Sequence, residues 1–278
     1  MQESLVVFFR KCDIRIFYVI LAFVVPFYML FNRQGYKSTC RFFRDRFGYG
    51  PLKAFCSVYR NHFVFGQIIL DRFATYAGKR YRIDVVEGQQ DFDELAEGES
   101  SFMMVSSHIG NYELAGYSLR SARKRICALV FGGETETVMA NRSRMFTESN
   151  ISMIPVREDM SHLFEINRAL SEGDIVSMPA DRVFGSPKTV ECEFLGKSAK
   201  FPMGPFAIAV QRGIPMLSVF VMKRSAKRYE MYLRKIDCPT DGKPAEKRER
   251  MARAYVADME RIIRMYPAQW FNYYDFWA

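Results

Sequence analysis

The chain has 278 residues, of which 49% are hydrophobic and 15% aromatic, and it carries a formal net charge of +9. That length and apolar content suit one large domain, or a domain with an appendage, around a sizeable core, and they exclude an intrinsically disordered chain. The positive charge favours anionic lipid headgroups and acidic proteins as neighbours, but no nucleic-acid recognition motif accompanies it, so nucleic acid is excluded as a partner.

The six cysteines (Cys12, Cys40, Cys56, Cys127, Cys192 and Cys238) are scattered without a Cys-x-x-Cys pair. This argues against a disulfide framework or a zinc knuckle and points to a reducing compartment. The three histidines are His62, His108 and His162, and no cysteine or second histidine stands at ligand spacing beside His108, so no metal site is expected. His62 and His162 read as ordinary helix-surface or near-cap residues.

In chain order, the first feature is an unbroken apolar run at 16–31 that contains Pro26, with Arg10, Lys11 and Arg15 before it and Arg33 and Lys37 after it. A helix over this run reaches about 24 Å against a hydrocarbon core of about 30 Å. It predicts a membrane anchor over 1–40 that spans only with help from Ile14 and snorkelling by Arg15, and otherwise lies in the interface or re-enters. A buried core helix would show the same run. Met29-Leu30-Phe31-Asn32-Arg33 offers no small-x-small cleavage site, which disfavours a removed signal peptide. Arg33, Lys37, Arg41, Arg44 and Arg46 crowd behind the run, and by the positive-inside tendency they place the remainder, 41–278, on the cytoplasmic side. Arg10, Lys11 and Arg15 weaken that asymmetry.

The segment 51–77 has helical apolar spacing at Leu52, Phe55, Tyr59, Phe63 and Ile69, and 81–86 alternates like a strand. Beyond it, strands are predicted at 101–107, 125–131, 151–156, 174–178, 190–195, 215–222 and 229–236, with helices near 111–122, 135–148, 161–172 and 204–212. Such alternation predicts an α/β layered domain, a mostly parallel sheet with flanking helices and room for antiparallel edges. The polar break at 237–247 precedes an apolar stripe of Met251, Tyr255, Met259, Ile262 and Tyr266, which predicts a long closing helix. Glu246 with Arg250 and Glu249 with Arg253 support that helix in the favourable order.

The chemistry-bearing stretch is Ser106-Ser107-His108-Ile109-Gly110-Asn111-Tyr112-Glu113, directly after the strand-like Phe102-Met103-Met104-Val105. On an uninterrupted helix a five-residue step turns about 500°, so His108 and Glu113 would diverge by about 140°. Gly110 permits a tight turn and Asn111 is a good N-cap, so His108 is expected to fold back onto Glu113. An imidazole held this way takes a proton from an attacking hydroxyl or amine while the carboxylate fixes its tautomer and stabilises the imidazolium. A capping histidine beside a solvated glutamate is the plainer reading of the same spacing.

Ser-His-Ile-Gly-Asn-Tyr-Glu resembles the His-x4-Asp/Glu block of the lysophospholipid acyltransferase superfamily, and its aromatic residue before Glu resembles the bacterial lipid A biosynthesis acyltransferase branch. Met178-Pro179-Ala180-Asp181-Arg182 is similar to that branch's Pro-Asp-Gln-like strand end. Phe194-Leu195-Gly196, Phe201-Pro202-Met203-Gly204-Pro205 and 213–220 follow in the same order as its later blocks. The resemblance implies transfer of a fatty acyl group from an acyl carrier protein or acyl-CoA thioester to a hydroxyl of a lipid A-type glycolipid precursor, or to another lipid acceptor such as a lysophospholipid, at the bacterial inner membrane without metal or redox cofactor; a lipid-binding membrane protein that keeps the fold without catalysis is the alternative. It implies His108 and Glu113 as catalytic residues and brings Asp181 into the site. Asn111, Arg142 and Arg144 are further candidates for substrate binding, the two arginines through phosphate. The helix start at Gly204 is a candidate source of oxyanion-binding N–H groups. As bare residues, Asp181 would be a helix cap and the arginines a solvated helix face. Arg120, Arg123, Lys124 and Arg125 are candidates for docking an acidic carrier, though such a run also marks a solvated helix end.

Other chemistries find no support. Gly196-Lys197-Ser198 has Glu191 where a phosphate-binding loop needs its first glycine, Gly132-Gly133 lacks a dinucleotide fingerprint, and no Gly-x-Ser-x-Gly elbow occurs. The ending departs from the lipid A branch: after Pro267-Ala268-Gln269-Trp270, the run Phe271-Asn272-Tyr273-Tyr274-Asp275-Phe276-Trp277 stands where basic residues are expected. A less phosphorylated acceptor, as in related acyltransferases for aryl polyenes or amino-acid lipids, is one consequence. An aromatic membrane contact at headgroup level is another.

Overall fold

The computed structural model describes residues 9, 12–131, 150–183 and 188–277. Asp13 starts helix α1 (Ile14–Phe31) by accepting the Arg15 N–H at 2.9 Å. Asn32 closes it and caps α2 (Arg33–Arg41), its side-chain oxygen accepting the Gly35 N–H at 3.0 Å. A π-helical turn over Phe42–Arg46 leads to α3 (Pro51–Tyr76), which opens on a proline at its first position. The expected anchor boundary at 40/41 therefore falls inside a continuous helical segment. One face of α1 packs on α3: Val25 and Met29 are buried, and the Tyr59 hydroxyl donates to the Ala22 carbonyl at 3.0 Å. The opposite face leaves Val19, Phe23, Phe27, Leu30 and Phe31 more than half exposed. By length and composition this helix is apolar enough to cross a membrane.

The strands are β1 (Arg82–Glu87), β2 (Phe102–Ser106), β3 (Ile126–Phe131), β4 (Ile151–Val156), β5 (Ile175–Pro179), β6 (Thr189–Phe194), β7 (Lys197–Pro202), β8 (Met216–Lys223) and β9 (Arg228–Ile236). Seven form one sheet in the order β1-β9-β8-β2-β5-β3-β4, and only β8 with β9 pairs antiparallel within it. The helices between are α4 (Gln89–Glu97), α5 (Glu113–Ser118), α6 (His162–Ser171), α7 (Gly204–Arg212) and α8 (Pro244–Met265). An α/β fold with a mostly parallel sheet is thus what the chain forms. The predicted helix at 135–148 lies outside the described residues.

The sheet is buried on both faces, as parallel sheets are. Met103 and Val105 of β2 and Phe220 of β8 enter the larger core with α7, α8 and the β6–β7 hairpin. Phe102, Met104, Leu217 and Val219 face the smaller core under α4 and α5. Two elements differ from the sequence expectation. Gly196-Lys197-Ser198 belongs to a hairpin, because Leu195 and Gly196 both take positive φ (51° and 78°), the two-residue turn that matches strand twist, and β7 follows. The helix after the His motif is short and begins only at Glu113, with Asn111 two residues outside it.

Candidate active site

The site begins with register. β2 and β5 are parallel neighbours in which Ser106 lies opposite Pro179, and the Ala180 N–H donates to the Ser106 carbonyl at 2.9 Å. Two residues past each strand end, His108 and Asp181 face one another at the carboxyl edge of the sheet, where α/β folds gather ligands. Asp181 Oδ1 lies 2.9 Å and Oδ2 3.2 Å from His108 Nδ1, and Oδ2 also accepts the His108 backbone N–H at 2.9 Å. Asp181 is 1% exposed. Burial opposes its ionisation, but the His108 ring, its N–H and the Arg182 charge outweigh that and hold the carboxyl below the usual carboxylate range. An ionised carboxylate only accepts, so Nδ1 carries the hydrogen and Nε2 is left as the basic nitrogen.

This corrects the expected pairing of His108 with Glu113. Glu113 accepts from the Tyr76 hydroxyl at 3.1 Å and pairs with Arg72 at 3.3 Å, both residues of α3. Arg72 also lies 4.9 Å from the Tyr112 ring centroid, and Tyr112 meets the His108 ring edge-on at 5.8 Å. The nearby carboxylate and aromatic rings raise the Arg72 pKa despite the opposing effect of its burial. Glu113 therefore reaches the imidazole's surroundings through Arg72 and Tyr112. The physical reason is the late helix start, which leaves Glu113 in the first turn of α5 and directed at α3.

The turn between His108 and Glu113 is fixed by β8. Gly110 has φ 58°, and a Cβ there would lie 2.1 Å from the Val221 carbonyl oxygen, so only glycine fits. The Asn111 N–H donates to that same carbonyl at 2.8 Å. Asn111 itself is fully buried and its side-chain oxygen lies 3.4 Å from Arg72 Nε, so it supports the site from behind rather than capping α5 or facing substrate.

His108, Tyr112 and Glu113 stand in the wall of a cavity of about 170 Å³. Its remaining walls are largely apolar, with Met104, Ile126, Val130, Ile151 and Val219 from the sheet and Ala115 and Gly116 from α5. The other expected residues disperse. Gly204 begins α7 as an exposed residue and is not in the cavity wall, so that helix start does not supply N–H groups to this cavity. Arg142 and Arg144 lie outside the described residues. In the 120–125 run, Arg123 donates to the Glu97 carbonyl, Lys124 to the Ser100 carbonyl, and Arg125 grips Asp174 and Glu172. Those three side chains each fasten a neighbouring loop or strand start.

The aromatic ending also differs from a membrane contact. Trp270, Phe271 and Phe276 are buried, with Trp270 against Phe42 and Phe194 at 4.8 and 5.5 Å between ring centroids. Sequence reasoning did not single out Arg72 or Tyr76. They sit in α3 some forty residues before Glu113, in a helix with many other polar residues, so no local pattern marks them.

A carboxylate-held imidazole thus stands at a strand end in the wall of a largely apolar cavity, an arrangement suited to acid/base chemistry. The model of the bacterial lipid A biosynthesis acyltransferase family matches residues 63–277, and the chain belongs to that family and is an acyltransferase. Among solved structures, the 1-acyl-sn-glycerophosphate acyltransferase PlsC of Thermotoga maritima is similar, at 15% identity and a TM-score of 0.43, over 92% of this chain and 99% of that one. No curated protein matches the chain.

Proposed function

We propose that the chain is a membrane-associated enzyme that moves a fatty acyl group from a carrier thioester to a hydroxyl of a lipid A-type glycolipid precursor. The observation that carries this reading is His108, fixed at Nδ1 by a buried, ionised Asp181 and exposed at the wall of a narrow apolar cavity. The acceptor hydroxyl attacks the thioester carbonyl carbon while its proton passes to His108 Nε2. The tetrahedral oxyanion then collapses, the C–S bond breaks, and the imidazolium returns the proton to the leaving sulfur. Asp181 stabilises the imidazolium. Glu113, with Arg72, holds Tyr112 against the ring and places a second carboxylate at the wall.

The cavity supports an acyl substrate by its lining, which is apolar apart from the groups around His108. A slender alkyl chain suits it better than a sugar. The donor is an acyl carrier protein or coenzyme A thioester, and Arg142 and Arg144 bind phosphate of donor or acceptor. The exposed apolar face of α1 and the basic residues behind it support attachment to the cytoplasmic face of the bacterial inner membrane.

Mass spectrometry of whole-cell lipids with and without the chain tests this reading. A glycolipid that gains one acyl mass only when the chain is present is expected. An unchanged glycolipid profile, or free fatty acid as the product, overturns it.

A further inference from the structure

The chain's last residues do something at the catalytic turn that neither the family match nor the sequence assigns. Residues 108–111 lie between β8 and the segment that follows α8. On one side the Asn111 N–H donates to Val221. On the other, the Gly110 N–H donates to the Gln269 carbonyl at 2.8 Å, the Phe271 N–H donates to the His108 carbonyl at 3.0 Å, and Ile109 bridges Trp270 antiparallel. Gln269 also closes onto β8 with its side chain: its amide oxygen accepts the Lys223 N–H at 2.8 Å, and its amide nitrogen donates to the Lys223 carbonyl at 2.9 Å.

The segment is itself held from two directions. Asn61 of α3 donates to the carbonyls of Trp270 and Ala268 at 2.8 and 3.3 Å, and Arg182, next to Asp181, donates to the Phe271 carbonyl at 2.8 Å. Its far end meets the N-terminal helices, with Arg41 paired to Asp275 at 3.0 Å and Arg46 over the Trp277 ring at 5.0 Å.

We propose that Gln269–Phe271 is a positioning strap that aims His108, with Gln269 and Asn61 as its positioning residues. This rests on the reading of His108 as the base. The His108 ring is 27% exposed at the cavity, so the packing of its own side chain does not fully determine where Nε2 points. The backbone of the turn does. Asp181 holds that backbone at the His108 N–H, β8 holds it at Asn111, and the strap holds the carbonyl of His108 and the N–H of Gly110 in between. Freeing those two groups lets the ring drift relative to Asp181 and the cavity, and a misplacement of about 1 Å costs on the order of 10²-fold in rate. Side-chain identity matters in the strap only where it holds the strap in place. Gln269 brackets β8, and Asn61 grips the carbonyls on either side of it.

The test uses the full chain in detergent micelles, with Gln269→Ala and Asn61→Ala as two independent variants and His108→Ala in parallel. Turnover is followed as thiol released from dodecanoyl-coenzyme A in the presence of bacterial membrane lipid. The His108 tautomer is read by nitrogen NMR of histidine-labelled protein, in which only three histidines give signals. The strap variants are expected to lower kcat by about 10- to 100-fold with KM within about twofold, and to turn a single Nδ1–H tautomer into a mixture. A variant that loses thermal stability yet keeps the wild-type tautomer and kcat overturns the strap. His108→Ala with wild-type turnover overturns the base reading instead, and the tautomer spectra still decide the strap. An inactive His108→Ala beside strap variants of wild-type kcat and tautomer removes the strap alone.

Discussion

His108 and His62 are held in the same way and sit in opposite circumstances. Each ring donates from Nδ1, His108 to the Asp181 carboxylate and His62 to the Val58 carbonyl, both at 2.9 Å. His62 is 3% exposed, its Nε2 is sealed without a hydrogen-bond partner against Tyr273, and burial lowers its pKa against the weaker opposing pull of the carbonyl. His108 has an anion behind it and a cavity in front. The difference teaches that fixing a tautomer does not make a base. A neutral carbonyl does little for an imidazolium, whereas a buried carboxylate stabilises it, and only an accessible Nε2 meets a substrate proton.

The largest effect that would break this contrast is removal of each ring. His108→Ala should lower turnover by about 10²- to 10⁴-fold, or roughly 3 to 5 kcal/mol of barrier, with folding retained. His62→Phe should leave turnover within about threefold and change the melting temperature instead. Steady-state kinetics with thermal melts of both proteins checks the pair, and equal losses of turnover would erase the distinction.

Next comes the anion itself. Asp181→Asn keeps the shape but presents an amide that donates as readily as it accepts, so the wrong tautomer becomes available. Turnover should fall by about 10²- to 10⁴-fold with KM little changed, as for a carboxylate that orients an imidazole elsewhere. Glu113→Gln should cost less in rate, about 10- to 100-fold, because it acts through Arg72 and Tyr112. It should also cost about 1 to 3 kcal/mol of stability by leaving a mostly buried arginine without its carboxylate, measurable by urea titration.

The smallest effects are in the pH dependence of stability, and the two rings sharpen the comparison there as well. A depressed histidine pKa stabilises the fold above the unfolded value, about 6.5, and that contribution fades as pH falls toward the folded value. His62→Phe should therefore flatten the melting curve below about pH 6.5. The depressed Asp181 carboxyl stabilises above about 3.9 and loses that contribution at lower pH, so Asp181→Asn should approach the wild type only in strong acid. Melting temperatures measured from pH 7 down to about pH 2 separate the two windows.

Much of the fold was legible in the chain because it is written locally. Apolar runs and strand-like alternation marked eight sheet or hairpin strands within a residue or two, and the spacing of Met251, Tyr255, Met259 and Ile262 marked α8. The site was half legible. His108 and Asp181 were each recognisable at a strand end, but that they face each other depends on β2 lying beside β5 in register, a long-range pairing that no local pattern encodes. Glu113 was read onto the wrong partner because a helix from 111 would start two residues too early, and Arg72 and Tyr76 come from a helix whose polar side gave no sign of what it covers. Of the two alternatives for the aromatic ending, a membrane contact gives way for a general reason: Trp, Phe and Tyr suit a headgroup layer and a protein core equally, and only tertiary packing against Phe42 and Phe194 decides between them.

In the proposed mechanism one imidazole, His108, passes a proton from an acceptor hydroxyl to a thioester sulfur. The direct measurement incubates the purified chain with dodecanoyl-coenzyme A and a glycolipid acceptor and counts free thiol, new ester and free fatty acid together, for wild type and His108→Ala. Equal amounts of thiol and ester from the wild type, and neither from the variant, are predicted. Ester formed by the variant at the wild-type rate would contradict the account.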